Sequence, residues 1–432
     1  MINLARRLLK GAAAVLATRI TAISGYSAST NTDRANGMAV DSAGNRLLCG
    51  VAVASPSYGW LAKFDATDTL LWQRKQSLTA TFSSSLSGAD SSNNVYLIGA
   101  GYVTAAPSLP TLLKYNSSGT LQWQRQLSAA DTAQASGLSV NASGDTFLAL
   151  AFTPTIFYGI VAKYNNAGTL QWQRKLSSTY LVYVRGSCPT PSDDSLVVGT
   201  FRDGANATAN ERGFVVKYNT SGVVQWQYKI HWSIQNFWLT AAVDTATGDI
   251  YLGGASYVST NQFAVLTKLN SSGTHQWSRQ RSVAGTQVNA IAVDPATGYV
   301  YSYSSLETTV VCMNASAAVV WERYITADTG ARIIVSVLSI VGDKLLVAGY
   351  ANHSGASKGD DAILLQMPLT GGAATAAVGY INVTTPSAST WNTMTAPTNV
   401  AAGLTDAAGT ATDAAGGATD AAGDLTFTNY SS

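Results

Sequence analysis

A tryptophan returns at a nearly fixed interval along most of the chain. Trp72, Trp123, Trp172, Trp226, Trp277 and Trp321 are separated by 51, 49, 54, 51 and 44 residues. Lys63, Lys114, Lys163, Lys217 and Lys268 each stand nine residues ahead of their Trp. Around two of them the strings are almost identical, "KYNSSGTLQWQRQLS" at 114–128 and "KYNNAGTLQWQRKLS" at 163–177. A period of this length means one supersecondary unit copied many times, each copy burying its apolar face against the next.

The order inside a unit is constant. "LSVNASGDTFLALAF" (138–152) holds two β-rich runs around an Asn/Gly turn, "GIVAKYN" (159–165) is a third, and "LQWQRKL" follows the turn "NAG". Short alternating runs between turn residues predict hairpins, hence four antiparallel strands per unit. Units start near Gly37, Ser87, Ser136, Arg185, Leu239, Val288 and Ile333. The last keeps three runs but has no Trp, and "AVGYINVTT" (377–385) is expected to supply its fourth strand. Seven such units without helical signals between them predict an all-β fold, a seven-bladed β-propeller spanning 37–385. A β-sandwich array or an open solenoid is the alternative.

Composition narrows the function classes. With 46% hydrophobic and 12% charged residues the chain can fill a large core. Its formal net charge of +2 gives no reason to expect a nucleic-acid partner. Cys49, Cys188 and Cys312 are far apart, so neither a disulfide framework nor a zinc site is expected. No apolar run is long enough to span a membrane as a helix. At the start, Leu4, Leu8, Ala12 and Val15 recur at helical spacing among Arg6, Arg7 and Lys10. Residues 1–36 are therefore read as a docking helix and a lead-in strand, with a membrane-surface helix as the alternative. Arg19 interrupts the short apolar stretch after it, so the segment is expected to belong to the mature chain rather than to a signal peptide.

The pattern "G-x-x-Y/L-x-x-G … K-Y-N/D-x-x-G-x-x-x-W" over 37–385 resembles the seven-bladed propeller repeats of bacterial secreted proteins. Its "LQWQR" form is most similar to repeats of tailed-bacteriophage structural proteins. The resemblance implies a propeller fold and, through the phage proteins, a place in a virion tail. It says little about chemistry, because propellers carry many unrelated activities. Unit six departs from it by losing the Lys ("CMNASAAVVWERY"), and unit seven by losing the Trp.

In "LQWQRQL" alternation puts Leu121, Trp123, Arg125 and Leu127 on one face. Turning at "NSSG" is expected to bring Lys114 to Gln122 and Leu113 to Trp123. Trp between blades, with Arg stacked on it or bonded to a carbonyl, is an architectural role. A ring of Trp/Arg ligand sites is the functional one. Presence in nearly every unit favours architecture.

Catalytic signals are sparse. His231, His275 and His353 fall in different units, and no GxSxG elbow, P-loop or dinucleotide fingerprint is present. Asp193–Asp194, Asp343 and Asp360–Asp361 are the acids worth following. No enzyme activity and no cofactor is expected. The turns "VDSAGN", "VDTATGD" and "VDPATGY" carry the oxygens of a calcium site, but Asx-turn chemistry accounts for them as well. In unit four the insertion "RDGANATANERG" precedes His231, Trp232, Phe237 and Trp238, an aromatic group suited to sugar stacking or partner docking, or else a local core patch. Tyr58–Trp60 is a second such place.

Residues 386–432 change character. "LTDAAGT-ATDAAGG-ATDAAGD-L" (404–425) repeats every seven residues without large apolar side chains. It cannot build a core, so it is either a linker or a segment ordered by other subunits. With the N-terminal segment, this leads to the expectation of a structural component of a tailed-phage virion, in a fibre, tip or nozzle of the tail. Its partners would be other virion proteins held through both termini, further copies of itself, and a host-surface glycan or protein at exposed loops. A secreted or surface bacterial propeller that binds glycan or protein is the second expectation. A propeller hydrolase or lyase is the third.

Overall fold

The computed structural model describes residues 19–23, 32–53, 57–77, 81–102, 109–128, 132–153, 157–178, 180–202, 204, 211–231, 235–327, 332–352, 360–371, 375–378, 381–384, 391–394, 398–401, 419–421 and 426–429. Blade three shows how one unit folds. Ala133–Val140, Thr146–Phe152, Tyr158–Tyr164 and Leu170–Leu176 pair in sequence order as an antiparallel sheet. The turn between its first two strands is held by Asn141, whose Oδ1 accepts the Asp145 N–H at 2.8 Å. Thr146–Phe152 is buried along its whole length, because a neighbouring blade covers each of its faces.

Seven sheets of this kind follow one another. The first strand of each touches the first strand of the next, and that of the seventh touches that of the first, which closes the ring. These inner strands begin at Thr32, Thr81, Ala133, Leu181, Gln235, Val288 and Arg332. Each carries a register shift at the equivalent place, from Ala35/Gly37 in blade one to Val335/Val337 in blade seven. A bulge there bends and twists the strand where blades crowd the axis. The core is distributed accordingly. One cluster joins Phe147 and Val161 of blade three to Val197 and Phe214 of blade four, and another joins Leu48 and Trp60 of blade one to Leu346 and Leu364 of blade seven.

The fourth strand of blade seven is Arg19–Ile23 from the start of the chain, paired antiparallel with Asp361–Pro368. This replaces the expectation for 377–385. The hairpin Thr375–Val378/Ile381–Thr384 instead adds to the outer strand of blade six, Val319–Ala327. Closing a propeller with a strand from the opposite end ties the ring across its seam. The predicted helix over Leu4 and Leu8 lies outside the described residues.

Beyond the hairpin, four described segments lie on the rim. Trp391–Thr393 pairs with the outer strand of blade five, Thr398–Ala401 with blade four, Thr419–Ala421 with blade two and Thr426–Asn429 with blade one. Outer strands present unpaired N–H and C=O groups, and any extended segment can satisfy them through its backbone. These described tail strands pair with the chain's own blades, where the expectation was either a linker or a segment ordered by other subunits.

Candidate functional site

The repeated motif is a latch between blades. The indole Nε1 of Trp123 donates to the carbonyl of Asn166 in the next blade at 3.0 Å. Two residues on, Arg125 Nε donates to the carbonyl of Gly168 at 2.7 Å, and its guanidinium lies 5.6 Å from the indole centroid. The same pair of bonds runs from Trp72 and Arg74 to Ser117 and Gly119, and from Trp172 and Arg174 to Thr220 and Gly222. It recurs from Trp277 and Arg279 to Ala315 and Ala317, and from Trp321 and Arg323 to Leu369 and Gly371. Gly168 has φ +76°, and a Cβ there would meet Trp123 Cδ2 at 2.9 Å, so both its backbone and the indole seat favour glycine; in blade six Ala317 holds the same position at φ 64°. In blade four Tyr228 replaces the Arg and stacks on Trp226 at 5.2 Å.

Blade seven has no such Trp, and the blade it would hold has changed to match. The turn position of blade one is Asp68, at φ 64°, and that of blade six is Ala317, also at φ 64°, where the other five blades use Gly. Gln366 Nε2 donates to both Asp68 carboxylate oxygens at 2.8 and 2.7 Å, and buried Arg46 lies 3.4 Å from Asp68.

Each Lys is paired opposite its Trp, Lys114 to Trp123 for example, with a register shift before Tyr115. The shift corrects the predicted pairing of Lys114 with Gln122. The extra residue of the bulge, Gln122, is exposed. The Lys ammonium groups meet the acids of the repeated turns: Lys63–Asp41 at 2.8 Å, Lys163–Asp145 at 2.8 Å, Lys217–Asp194 at 3.0 Å and Lys268–Asp249 at 2.7 Å. Lys114 instead bonds the carbonyl of Asn166 at 3.1 Å and also its side-chain oxygen. A resident lysine thus stands where a metal would neutralise the turn. Among the described residues no group of three His, Cys, Asp or Glu side chains converges as metal ligands. For Asp41, burial works to raise the carboxyl pKa, but the bonds from Lys63 and Asn45 outweigh it and hold the group below its ordinary value.

The aromatic residues expected to dock a partner do not form one exposed patch. Trp238 is fully buried in the cluster between blades four and five. Phe237 is half-buried, 6.3 Å from the Tyr257 ring, and Trp232 lies outside the described residues, as do Leu4, Arg6, Arg7 and Leu8. Tyr58 and Trp60 are buried too, with Lys75 Nζ 4.0 Å from the Tyr58 centroid. His275 bonds the Ser278 hydroxyl at 2.9 Å, and burial lowers its pKa. Asp360 accepts from Arg34 Nε at 2.6 Å.

One place departs from the repeat in a way that opens space. In blade six the Lys position is Cys312, paired opposite Trp321 and next to Tyr301. Cys312 is buried, and burial pushes its thiol up to about 12. Between blades six and seven lies a cavity of about 730 Å³ lined by Asp294, Tyr299, Tyr301, Trp321, Arg323 and Leu369, among others. A smaller gap of about 250 Å³ lies between blades four and five, lined by Lys217 and by the turn residues Thr245 to Gly248. Asp294 is 7% exposed; its carboxylate accepts from Ala296 N at 3.0 Å and from the Thr297 hydroxyl at 2.6 Å. Beside the cavity, fully buried Arg281 of blade five bridges Glu307 and Glu322 of blade six, the latter at 3.0 Å. The sequence does carry a signal for this cavity, the missing Lys of unit six, but loss of a repeat residue alone does not say that its space stays open.

No family model matches the chain, and no curated protein matches it. Among solved structures, hydrazine synthase from Kuenenia stuttgartiensis superposes with a TM-score of 0.53 at 9% identity, over 78% of this chain and 96% of that one. The β-propeller domain of Cps50 (Swd1) from Myceliophteria thermophila gives 0.49 at 13% identity over 81% and 99%. The polysaccharide lyase Uly1 gives 0.48 at 9% over 78% and 90%. At such identities the likeness is one of fold, and this chain is a seven-bladed β-propeller of four-stranded antiparallel blades.

Proposed function

We propose that the chain is a non-catalytic structural protein of a tailed-phage virion, a rigid platform in the tail held by its rim. The observation supporting this reading is the placement of the repeated polar groups and of the chain's ends. The repeated Trp, Arg and Lys side chains bond within the ring, to the next blade or to a turn acid, rather than converging on one centre. The first described strand lies on the rim of blade seven and the last on the rim of adjacent blade one. A partner gripping that one sector leaves the faces of the disc available to a host glycan or protein.

The test is protein mass spectrometry across a density gradient of particles from infected cells. The proposal expects peptides of this chain to co-sediment with intact particles at a fixed ratio to the major tail protein. Recovery only in the free soluble fractions overturns it. The blade-six cavity favours a second reading, a secreted or surface propeller that binds a small ligand or a partner, and recovery as a free monomer in culture fluid would support it.

A further inference from the structure

We propose that the blade-six cavity is a binding site for a primary alkylammonium group, with the Asp294 carboxylate as counter-ion and the Tyr301 ring as its aromatic wall. The other blades supply the template. Asp41 of blade one occupies the turn position of Asp294, and Lys63 occupies that of Cys312, with Nζ 2.8 Å from the carboxylate. Tyr251 and Tyr96 occupy the position of Tyr301, and the Lys ammonium groups of their blades lie 5.5 and 5.2 Å from their ring centroids. Blades one to five thus each carry a lysine ammonium beside the turn; blade one shows the pairing with the first acid, whereas in blades three to five the lysine meets the last acid, Asp145, Asp194 or Asp249, a position that is Tyr299 in blade six.

In blade six the ammonium and its four-carbon stem are gone, while the first acid of the turn, Asp294, and the ring remain and line the cavity. Asp294 is nearly buried, and its bonds come from one backbone N–H and one hydroxyl, neither of which neutralises it. A buried carboxylate without a counter-ion is costly, and an entering ammonium would relieve that cost while gaining a cation–π contact. Arg323 also lines the cavity, but its Nε is engaged by Gly371 and its Nη1 by the carbonyl of Glu322. The equivalent Arg74, Arg125 and Arg174 coexist with a lysine in their own blades, so this guanidinium does not bar a second cation.

The ammonium can come from a free amine or from a lysine side chain of another protein. The test is a calorimetric titration of the full chain with n-butylammonium chloride, with Nα-acetyl-lysine methylamide, and with 1-butanol as the neutral isostere, all at matched ionic strength. The proposal expects saturable binding of at least one cation, no comparable binding of butanol, and a weakening of roughly tenfold or more in Asp294→Asn. Stronger binding of the lysine derivative identifies a protein side chain as the source, and stronger binding of butylammonium a free amine. Cys312→Lys places the chain's own ammonium in the cavity and is expected to abolish binding; if that variant does not fold, Asp294→Asn decides. Equal binding of butanol, unchanged affinity in Asp294→Asn, or absence of binding by both cations overturns the proposal.

Discussion

Single residues in this ring are chosen by what the neighbouring blade asks of them. Gly168 is glycine because Trp123 of the preceding blade rests on it and because its φ is +76°. Asp68 stands at the same turn position in blade one, where no Trp arrives and Gln366 needs an acceptor. Two alanine substitutions separate these causes. Gly342 has φ +57°, and a Cβ there would meet nothing within 4 Å, so Gly342→Ala carries backbone strain alone, about 1 kcal/mol. Gly168→Ala adds the shift of the indole that rests on it, for a total of about 1–3 kcal/mol, since Ala317 of blade six keeps both latch bonds at the same position. Urea denaturation with an unchanged slope reads the difference; equal losses would mean that the latch contributes nothing. The motif was legible in the sequence because each blade needs the same contact. The register shift at Gln122 was not, since a one-residue bulge leaves no mark on a pattern that alternates on both sides of it.

At the scale of elements, local signals sufficed wherever partners follow one another along the chain. Turn residues and alternating runs mark the first three strands of every blade. The fourth strand of blade seven escaped this logic. Arg19–Ile23 pairs with residues more than three hundred positions away, and nothing in "RITAI" indicates so distant a partner. The run "AVGYINVTT" comes next in order and has the composition of a strand, yet Ile381–Thr384 lies on blade six. Closure predicts that a chain lacking residues 1–23 leaves Asp361–Pro368 as an open edge. The expected loss is about 2–5 kcal/mol for its paired hydrogen bonds, with recovery when a peptide spanning 17–26 is added. An unchanged urea midpoint would contradict closure by this strand.

Over the whole molecule, the blade-six site and the tail have opposite visibility. Cys312 could be found by comparing one unit with the next, as a gap in a ladder of lysines. The cavity near it, lined by its strand neighbours Tyr301 and Trp321, depends on how the surrounding blades pack, which no repeat count contains. The tail looked coreless, and its described strands add to sheet edges, which needs only a backbone and sets few demands on side chains. Its described strands make the most exposed claim: one chain closes its own ring and then adds strands to the rims of blades five, four, two and one. Hydrogen exchange by mass spectrometry, comparing the full chain with one ending at residue 385, tests this most directly. The shortened chain keeps the hairpin on blade six and lacks the strands on blades five, four, two and one. The account predicts faster exchange in the outer strands His275–Ala284, Val224–His231, Leu121–Ser128 and Leu70–Ser77, with Val319–Ala327 of blade six unchanged. Identical exchange of all five strands in the two proteins would contradict it.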